Sequence, residues 1–371
     1  MRRYAPFVGT VFLVACGAST SNGGGLHVDA GGDTGGLAYE GGAGGKDGGM
    51  ATSPDGGGGA CGPYGSGVFE VPNVWTTDVS CETPSPSSAS IIAALTAAGG
   101  WGPGMTQFQI DTSLVVLHAT STTPMVPFTM ASGYTLPDCD TPTQIPLVTG
   151  GAIEGQTNYT CDVSQNDCHL LVVYPPTSTL YELYQATSQG SGITAGCAIL
   201  WDLTKTYPPN ERGDQCTSAD AAGFPMSAML TDADEVATGT IGHAIRFALP
   251  NARMAKGVYV HPASHAGGPS GSSALPPYGA RFRLRANYPV SSLASPAAQT
   301  IAKALQRFGM FLSDGGNIPL MVQSDQLTTH KWTDATLNLD SHALFGIQPS
   351  DFDVVDLGPP VTLTYNCVRN P

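Results

Sequence analysis

The sequence predicts a mainly β protein, an antiparallel β-sandwich of jelly-roll type with a few short surface helices. Three observations carry this expectation. Runs of β-branched and aromatic residues recur at 108–118, 169–174, 180–186 and 197–203, with turn clusters between them. The chain holds 47 Gly and 29 Pro, which interrupt any longer regular element. Helical periodicity is sparse, and strands do not alternate with helices as a doubly wound sheet requires.

In chain order, the first segment is a leader. Arg2 and Arg3 precede an apolar run over 7–15, and Leu13-Val-Ala-Cys16 follows the pattern of a bacterial lipobox. Residues 1–16 are therefore expected to direct export and leave a lipidated Cys16 as membrane anchor. Gly17 rather than aspartate follows the cysteine, which suggests the outer membrane by analogy. Residues 17–60 are mostly Gly, Ser, Thr, Ala and Asp. Such a segment buries too little apolar surface to offset its ordering entropy and is expected to be a disordered tether. Residues 61–371 are long enough for one β-rich domain. No later stretch is apolar for long enough to span a bilayer.

Within that domain the runs 169–174, 180–186 and 197–203 are predicted to form a three-stranded meander, with Pro175 and Pro176 opening the first turn. Further strands are expected at 244–248, 257–260, 280–285, 320–323 and 361–365. Helices are predicted over 88–98 and 295–308. In the second, Ser295 suits the cap, Pro296 the first turn and Gly309 the stop, with Ile301, Leu305 and Phe308 on one face. Residues 231–234 carry a capping-box start for a short helix.

Eight cysteines remain after Cys16, an even set that reads as four disulfides in an exported chain. Spacing favours Cys161–Cys168 first and Cys197–Cys216 second. The net charge is −14 with only 15 Lys and Arg, which excludes a nucleic-acid partner because no cationic surface can form. There is no G-x-S-x-G elbow, H-E-x-x-H or P-loop. A G-x-G-x-x-G at Gly57, Gly59 and Gly62 follows no strand and is read as chance.

A set of ordered motifs spans roughly 74–368. It includes Cys-His-Leu-Leu-Val-Val from Cys168, Leu-Tyr-Glu-Leu-Tyr from Leu180 and Thr-Ser-Ala-Asp-Ala-Ala-Gly from Thr217. Gly-His-Ala-Ile-Arg-Phe from Gly242, His-Pro-Ala-Ser-His from His261 and Gly-Ala-Arg-Phe-Arg-Leu from Gly279 follow. The set resembles a family of secreted and lipid-anchored bacterial proteins, myxobacterial ones among them, with no established activity. The resemblance implies one exported domain behind a tether and marks which polar residues recur. It implies no reaction.

The candidate chemistry rests on acids. Strand alternation places Glu182 with Leu180 and Tyr184 on one face, pointing to solvent or into a cleft, and Asp202 follows Trp201 on the next strand. Facing residues on neighbouring strands lie about 5 Å apart, the separation that retaining glycosidases use. Trp201 and Tyr184 would suit stacking on a sugar. Asp220 lies in a loop of small residues, where an Asx turn is the structural alternative. His243 and His265 are read as loop anchors or acid/base groups. A zinc site built from His243, His261 and His265 is disfavoured because Gly267, Gly268 and Pro269 break any helix there. Arg281 is assigned to an acidic sugar, with pairing to Asp220 or Asp234 as the alternative for Arg246, Arg281 and Arg283. No metal or cofactor is expected.

These features suggest a polysaccharide hydrolase or lyase using Glu182 with Asp202 or Asp220, supported by His243 or His265. The alternatives are a non-catalytic surface binder or adhesin, and a structural envelope lipoprotein.

Overall fold

Five aromatic side chains organise the largest sheet. Trp101 packs within about 5–6 Å of Phe108, Phe247, Phe282 and Phe352, mostly edge-on. Three of these rings come from strands of a six-stranded sheet ordered Phe352–Val355, Arg281–Leu284, Met310–Gly315, Ile245–Leu249, Leu320–Gln323 and Ile110–Leu114. The computed structural model describes residues 61–63, 67–102, 107–131 and 136–371. The expected leader, the lipidated Cys16 and the glycine-rich tether lie outside the described residues.

The protein is mostly β, as expected, but its sheets are mixed. Ile245–Leu249 runs parallel to Met310–Gly315, and Leu320–Gln323 runs parallel to Ile110–Leu114. The expected meander is present as Leu170–Tyr174, Thr179–Tyr184 and Cys197–Asp202, paired antiparallel. Its free edge is extended by Val116–His118 in parallel. The run 108–118 is thus two strands, broken at Val115, that cross from one sheet to the other. A further four-stranded sheet unites Gln144–Pro146, Met125–Met130, Gly192–Ala195 and Thr187–Gln189, none of them expected.

The meander is buried on both faces. Leu171, Leu180, Ile199 and Trp201 join the main core, while Leu170, Val172, Leu183 and Ala198 join a second core under the further sheet. The continuous apolar run Leu170–Tyr174 suits a strand with no solvent face.

Helix α1 (Ser88–Ala97), α2 (Ala233–Ala237) and α3 (Pro296–Arg307) complete the described helices apart from short 3₁₀ turns. In α3, Ser295 Oγ accepts from the Ala298 N–H at 3.2 Å, a cap of about 1 kcal/mol. Gly309 follows at φ +70°, and Ile301 and Leu305 are fully buried. The cap of α2 is Asp232, which accepts from Glu235 N–H at 2.7 Å, rather than the expected Thr231. Thr231 instead bonds the Glu235 carboxylate. No described helix is long and apolar enough to cross a membrane.

Four disulfides tie the described chain: Cys61–Cys81, Cys139–Cys197, Cys161–Cys168 and Cys216–Cys367. Cys161–Cys168 is the pair that spacing favoured. Cys197–Cys216 does not form. The Asp140 N–H bonds the Ala198 carbonyl, so the 138–140 segment lies along the outer meander strand and brings Cys139 to Cys197. Cys216 meets the returning C-terminal segment, where Val368 and Asn370 N–H groups bond the Asp214 and Arg212 carbonyls.

Candidate functional site

Arg246 lies on a strand buried at all five positions, yet its guanidinium bonds two carboxylates. Strand alternation puts Ile245, Phe247 and Leu249 on the aromatic side of the sheet and Arg246 on the other. There Arg246 Nη2 bonds both the Asp220 and the Asp314 carboxylates, the latter at 3.1 Å. A bulge makes this possible. Phe247 pairs with Leu312 but Ala248 pairs with Asp314, so Ser313 is the extra residue. The slip turns Asp314 onto the face that carries Arg246 and Phe311, a known use of bulges beside functional sites.

The 216–225 loop brings Asp220 from the opposite side. Its small residues allow close approach: Ala222 N–H bonds the Ser313 carbonyl, and Gly223 at φ +87° faces Ser264 with no room for a Cβ. The Asp220 carboxylate also accepts from Ala222 N–H at 3.1 Å and Phe224 N–H at 3.4 Å. The expected Asx geometry is present, but around an acid that pairs with a buried arginine. Burial raises the Asp220 carboxyl above its usual range against the pull of Arg246. Burial lowers Arg246, but Asp220 and Asp314 outweigh it and hold the guanidinium charged. The two tendencies oppose each other. We read the pair as ionised, because the guanidinium and both amides donate to Asp220 and nothing there accepts a proton from it.

A second ion pair adjoins the first. His169 Nδ1 lies 2.7 Å from Glu154 Oε2, and Nε2 lies 3.0 Å from the Ala219 carbonyl, next to Asp220. Both ring nitrogens face acceptors, which selects the imidazolium. Burial lowers His169, but Glu154 prevails and the group rises to about 9. Burial raises Glu154, and the imidazolium returns it below its usual value. The Glu154 loop is stitched between the two large sheets: Glu154 N–H bonds the His169 carbonyl and Gly155 N–H the Ser113 carbonyl. The site therefore sits where the six-stranded sheet meets the meander.

Four carboxylates reach the surface here: Asp111, Glu154, Asp167 and Asp314. Asp111 is raised chiefly by burial, with Ser113 opposing. Asp167 is exposed by area, yet the chain packed about its carboxyl raises it; His169 opposes, and the Asp314 and Glu154 charges add to the rise. That mutual influence places the two ion pairs in one electrostatic neighbourhood. Among the described residues, no group of three or more His, Cys, Asp and Glu is arranged to hold a metal ion.

The residues expected from sequence divide sharply. Asp220 is in the site, Tyr184 is beside it with its ring 5.6 Å from that of His169, and His265 flanks it through Nδ1 at 2.9 Å from the Ala221 carbonyl. Glu182 is elsewhere and fully buried. It accepts from Trp201 Nε1–H, Met226 N–H, Ser227 N–H and Ser227 Oγ–H at 2.8–3.1 Å. Trp201 is likewise buried, so neither can meet a sugar. Asp202 is exposed and closes a turn with Thr204 N–H and Oγ–H.

His243 is enclosed between the Glu235 carboxylate and the Ala244 carbonyl. Arg281 is 1 % exposed and donates to the carbonyls of Phe308, Thr77 and Val74, fastening the 74–77 segment to the end of α3. Burial lowers it to about 9. Arg283 holds the adjoining 79–82 stretch through the Val79, Ser80 and Glu82 carbonyls.

Two concavities lie away from the Arg246 site. One of about 420 Å³ is lined by His118, Thr149, Asp232 and Leu327 among others. An open trough of about 480 Å³ includes Trp201 and Asp202. The trough brings together two of the expected residues, Asp202 and the buried Trp201, and neither concavity is lined by the others. Sequence reasoning missed Glu154, His169 and Asp314 as site residues, although His169 stands in the Cys-His-Leu-Leu-Val-Val run.

No family model, curated protein or solved structure matches the chain.

Proposed function

We propose that the chain is an exported lipoprotein, anchored through Cys16 at the outer membrane. Its β-sandwich-type domain would hydrolyse an extracellular polysaccharide with the Asp314–Arg246–Asp220 group. The observation that supports this is the half-exposed Asp314 held on the same guanidinium nitrogen as the buried Asp220. Asp220 is sealed from solvent, so Asp314 would meet the substrate, while Asp220 and Arg246 set its position and charge. Glu154, poised by His169 and reaching the surface in the same neighbourhood, would serve as the second acid or base.

The surrounding charge points to a neutral or amino-bearing glycan. Arg281 is committed to backbone carbonyls, and Arg246 and His169 are neutralised by carboxylates. An acidic sugar would meet Asp111, Glu154, Asp167 and Asp314, with Arg246 and His169 already paired among the described residues, which disfavours the lyase reading.

The exported protein is expected to release reducing ends from at least one of xylan, mixed-linkage β-glucan and chitosan, and none from alginate. Asp314→Asn should cut that rate about a hundredfold or more with little change in melting temperature. Release unaffected by Asp314→Asn, or release from alginate alone, would refute the assignment. Binding without release on every substrate would favour the adhesin reading. For the anchor, Cys16→Ser should remove the protein from the membrane fraction; a mutant recovered there at normal mature mass would exclude lipidation at this residue.

A further inference from the structure

Tyr278 is 1 % exposed, yet its hydroxyl has no hydrogen-bond partner among the described residues. A buried hydroxyl without a partner costs free energy, so its persistence calls for an explanation. The group is enclosed but not sealed, unlike the Asn251 Oδ1 nearby, which is both unpartnered and shut off from solvent. Two glycines face the hydroxyl. A Cβ on Gly267 would stand 3.1 Å from it, and one on Gly315 would stand 3.3 Å from it and 2.6 Å from Asn251 Oδ1. Gly315 is exposed and directly follows Asp314. The side chains missing from these two positions are those that would close the approach to the hydroxyl. Tyr365, 59 % exposed, bonds the Gly267 carbonyl with its own hydroxyl and forms a wall of the opening.

The backbone fixes Tyr278 firmly. Its carbonyl accepts from Val260 N–H at 2.9 Å, and Gly279 N–H bonds the Leu312 carbonyl at 2.8 Å. Gly279 at φ +86° is obligatory, because a Cβ there would strike the Val260 carbonyl. Burial and the neighbouring Asp314 and Asp220 hold the phenol well above its ordinary value, so it is a proton-bearing donor at any physiological pH.

We propose that Tyr278 is a ligand-binding residue whose hydroxyl donates a hydrogen bond to a hydroxyl or ether oxygen of a neutral glycan lying over Gly315, against the exposed ring of Tyr365. The ligand oxygen is uncharged because an anion beside Asp314 would be repelled. This inference rests on the glycan reading of the Arg246 site and adds the contact that orients the sugar.

The test uses affinity electrophoresis of the exported protein in gels containing xylan, hydroxyethylcellulose or alginate, alongside thermal unfolding. Wild type should be retarded by a neutral polysaccharide and not by alginate. Tyr278→Phe should weaken that retardation about fivefold and melt at or above the wild-type temperature, because the ring is kept and an unpartnered hydroxyl is removed. Undiminished retardation of Tyr278→Phe overturns the proposal, as does a melting temperature several degrees lower, which would reveal a structural partner. Absence of retardation by both neutral polymers overturns it as well. Asp314→Asn separates the two ideas: if it abolishes reducing-end release while Tyr278→Phe binds normally, only the Tyr278 inference falls.

Discussion

Arg246→Met is expected to cost the domain about 3–5 kcal/mol. The substitution leaves Asp220 fully buried, with two backbone amides of its own loop as the described donors that remain to its carboxylate. Removing one partner of a buried pair strands the other charge, and that desolvation penalty exceeds the worth of the pair itself. Asp314 is less affected, because it is partly exposed and water can replace the guanidinium. Asp220→Leu in the Arg246→Met background should restore much of the loss, since no stranded charge remains. Urea midpoints of the two single variants and the double variant measure this. An Arg246→Met midpoint equal to wild type would show that the pair is not the buried cross-link described here. A double variant no better than Arg246→Met would assign the loss to the contact of Arg246 with Met321 instead.

That cross-link shows where sequence reasoning stops. Local signals carried far: Ser295, Pro296 and Gly309 delimit α3 as their chemistry dictates, and the meander follows from its turn residues. The small residues of the 217–225 loop correctly signalled close approach. The partner of Asp220 was visible only as one of three candidate arginines. Arg246, Arg281 and Arg283 all sit in β-branched or aromatic surroundings with similar flanks. Only the order of strands sends Arg246 to Asp220 and Asp314 and the other two to the carbonyls of the 74–82 segment. Asp314 illustrates a subtler limit. Simple alternation through Met310–Gly315 would put Asp314 on the aromatic side with Leu312, and one extra residue in the ladder reverses that. Bulges of this kind leave no mark in hydrophobic periodicity. Likewise Cys139 reaches Cys197 because the 138–140 segment docks on a strand edge, a tertiary event that spacing cannot encode.

Glu182 is the clearest case, and its replacement by glutamine is expected to lower stability by about 2–3 kcal/mol. Alternation correctly placed Glu182 with Leu180 and Tyr184, and it faces Leu171 and Ile199 across the ladder. The error lay in assuming that this face meets solvent or a cleft. The neighbouring run Leu170–Tyr174 is apolar at consecutive positions, which is what a sheet covered on both sides looks like. A carboxylate on such a sheet must be satisfied by the protein, and Glu182 is.

All four of its described contacts are donors: two on Oε1 from Ser227, and one each on Oε2 from Trp201 and Met226. The acid thereby ties the 226–229 turn to the meander. Burial raises its carboxyl, and these donors work against the rise. An amide of the same shape offers one acceptor oxygen and one NH₂. Whichever way it turns, the NH₂ faces a fixed N–H donor, either from Ser227 or from Trp201 and Met226. The Ser227 hydroxyl can rotate away, but the backbone and indole N–H groups cannot. The loss should appear as a lower urea midpoint with an unchanged slope, and any fall in glycan turnover should track the unfolded fraction. A Glu182→Gln protein with wild-type stability and no turnover would restore Glu182 as the reacting acid and refute the placement of the site at Arg246.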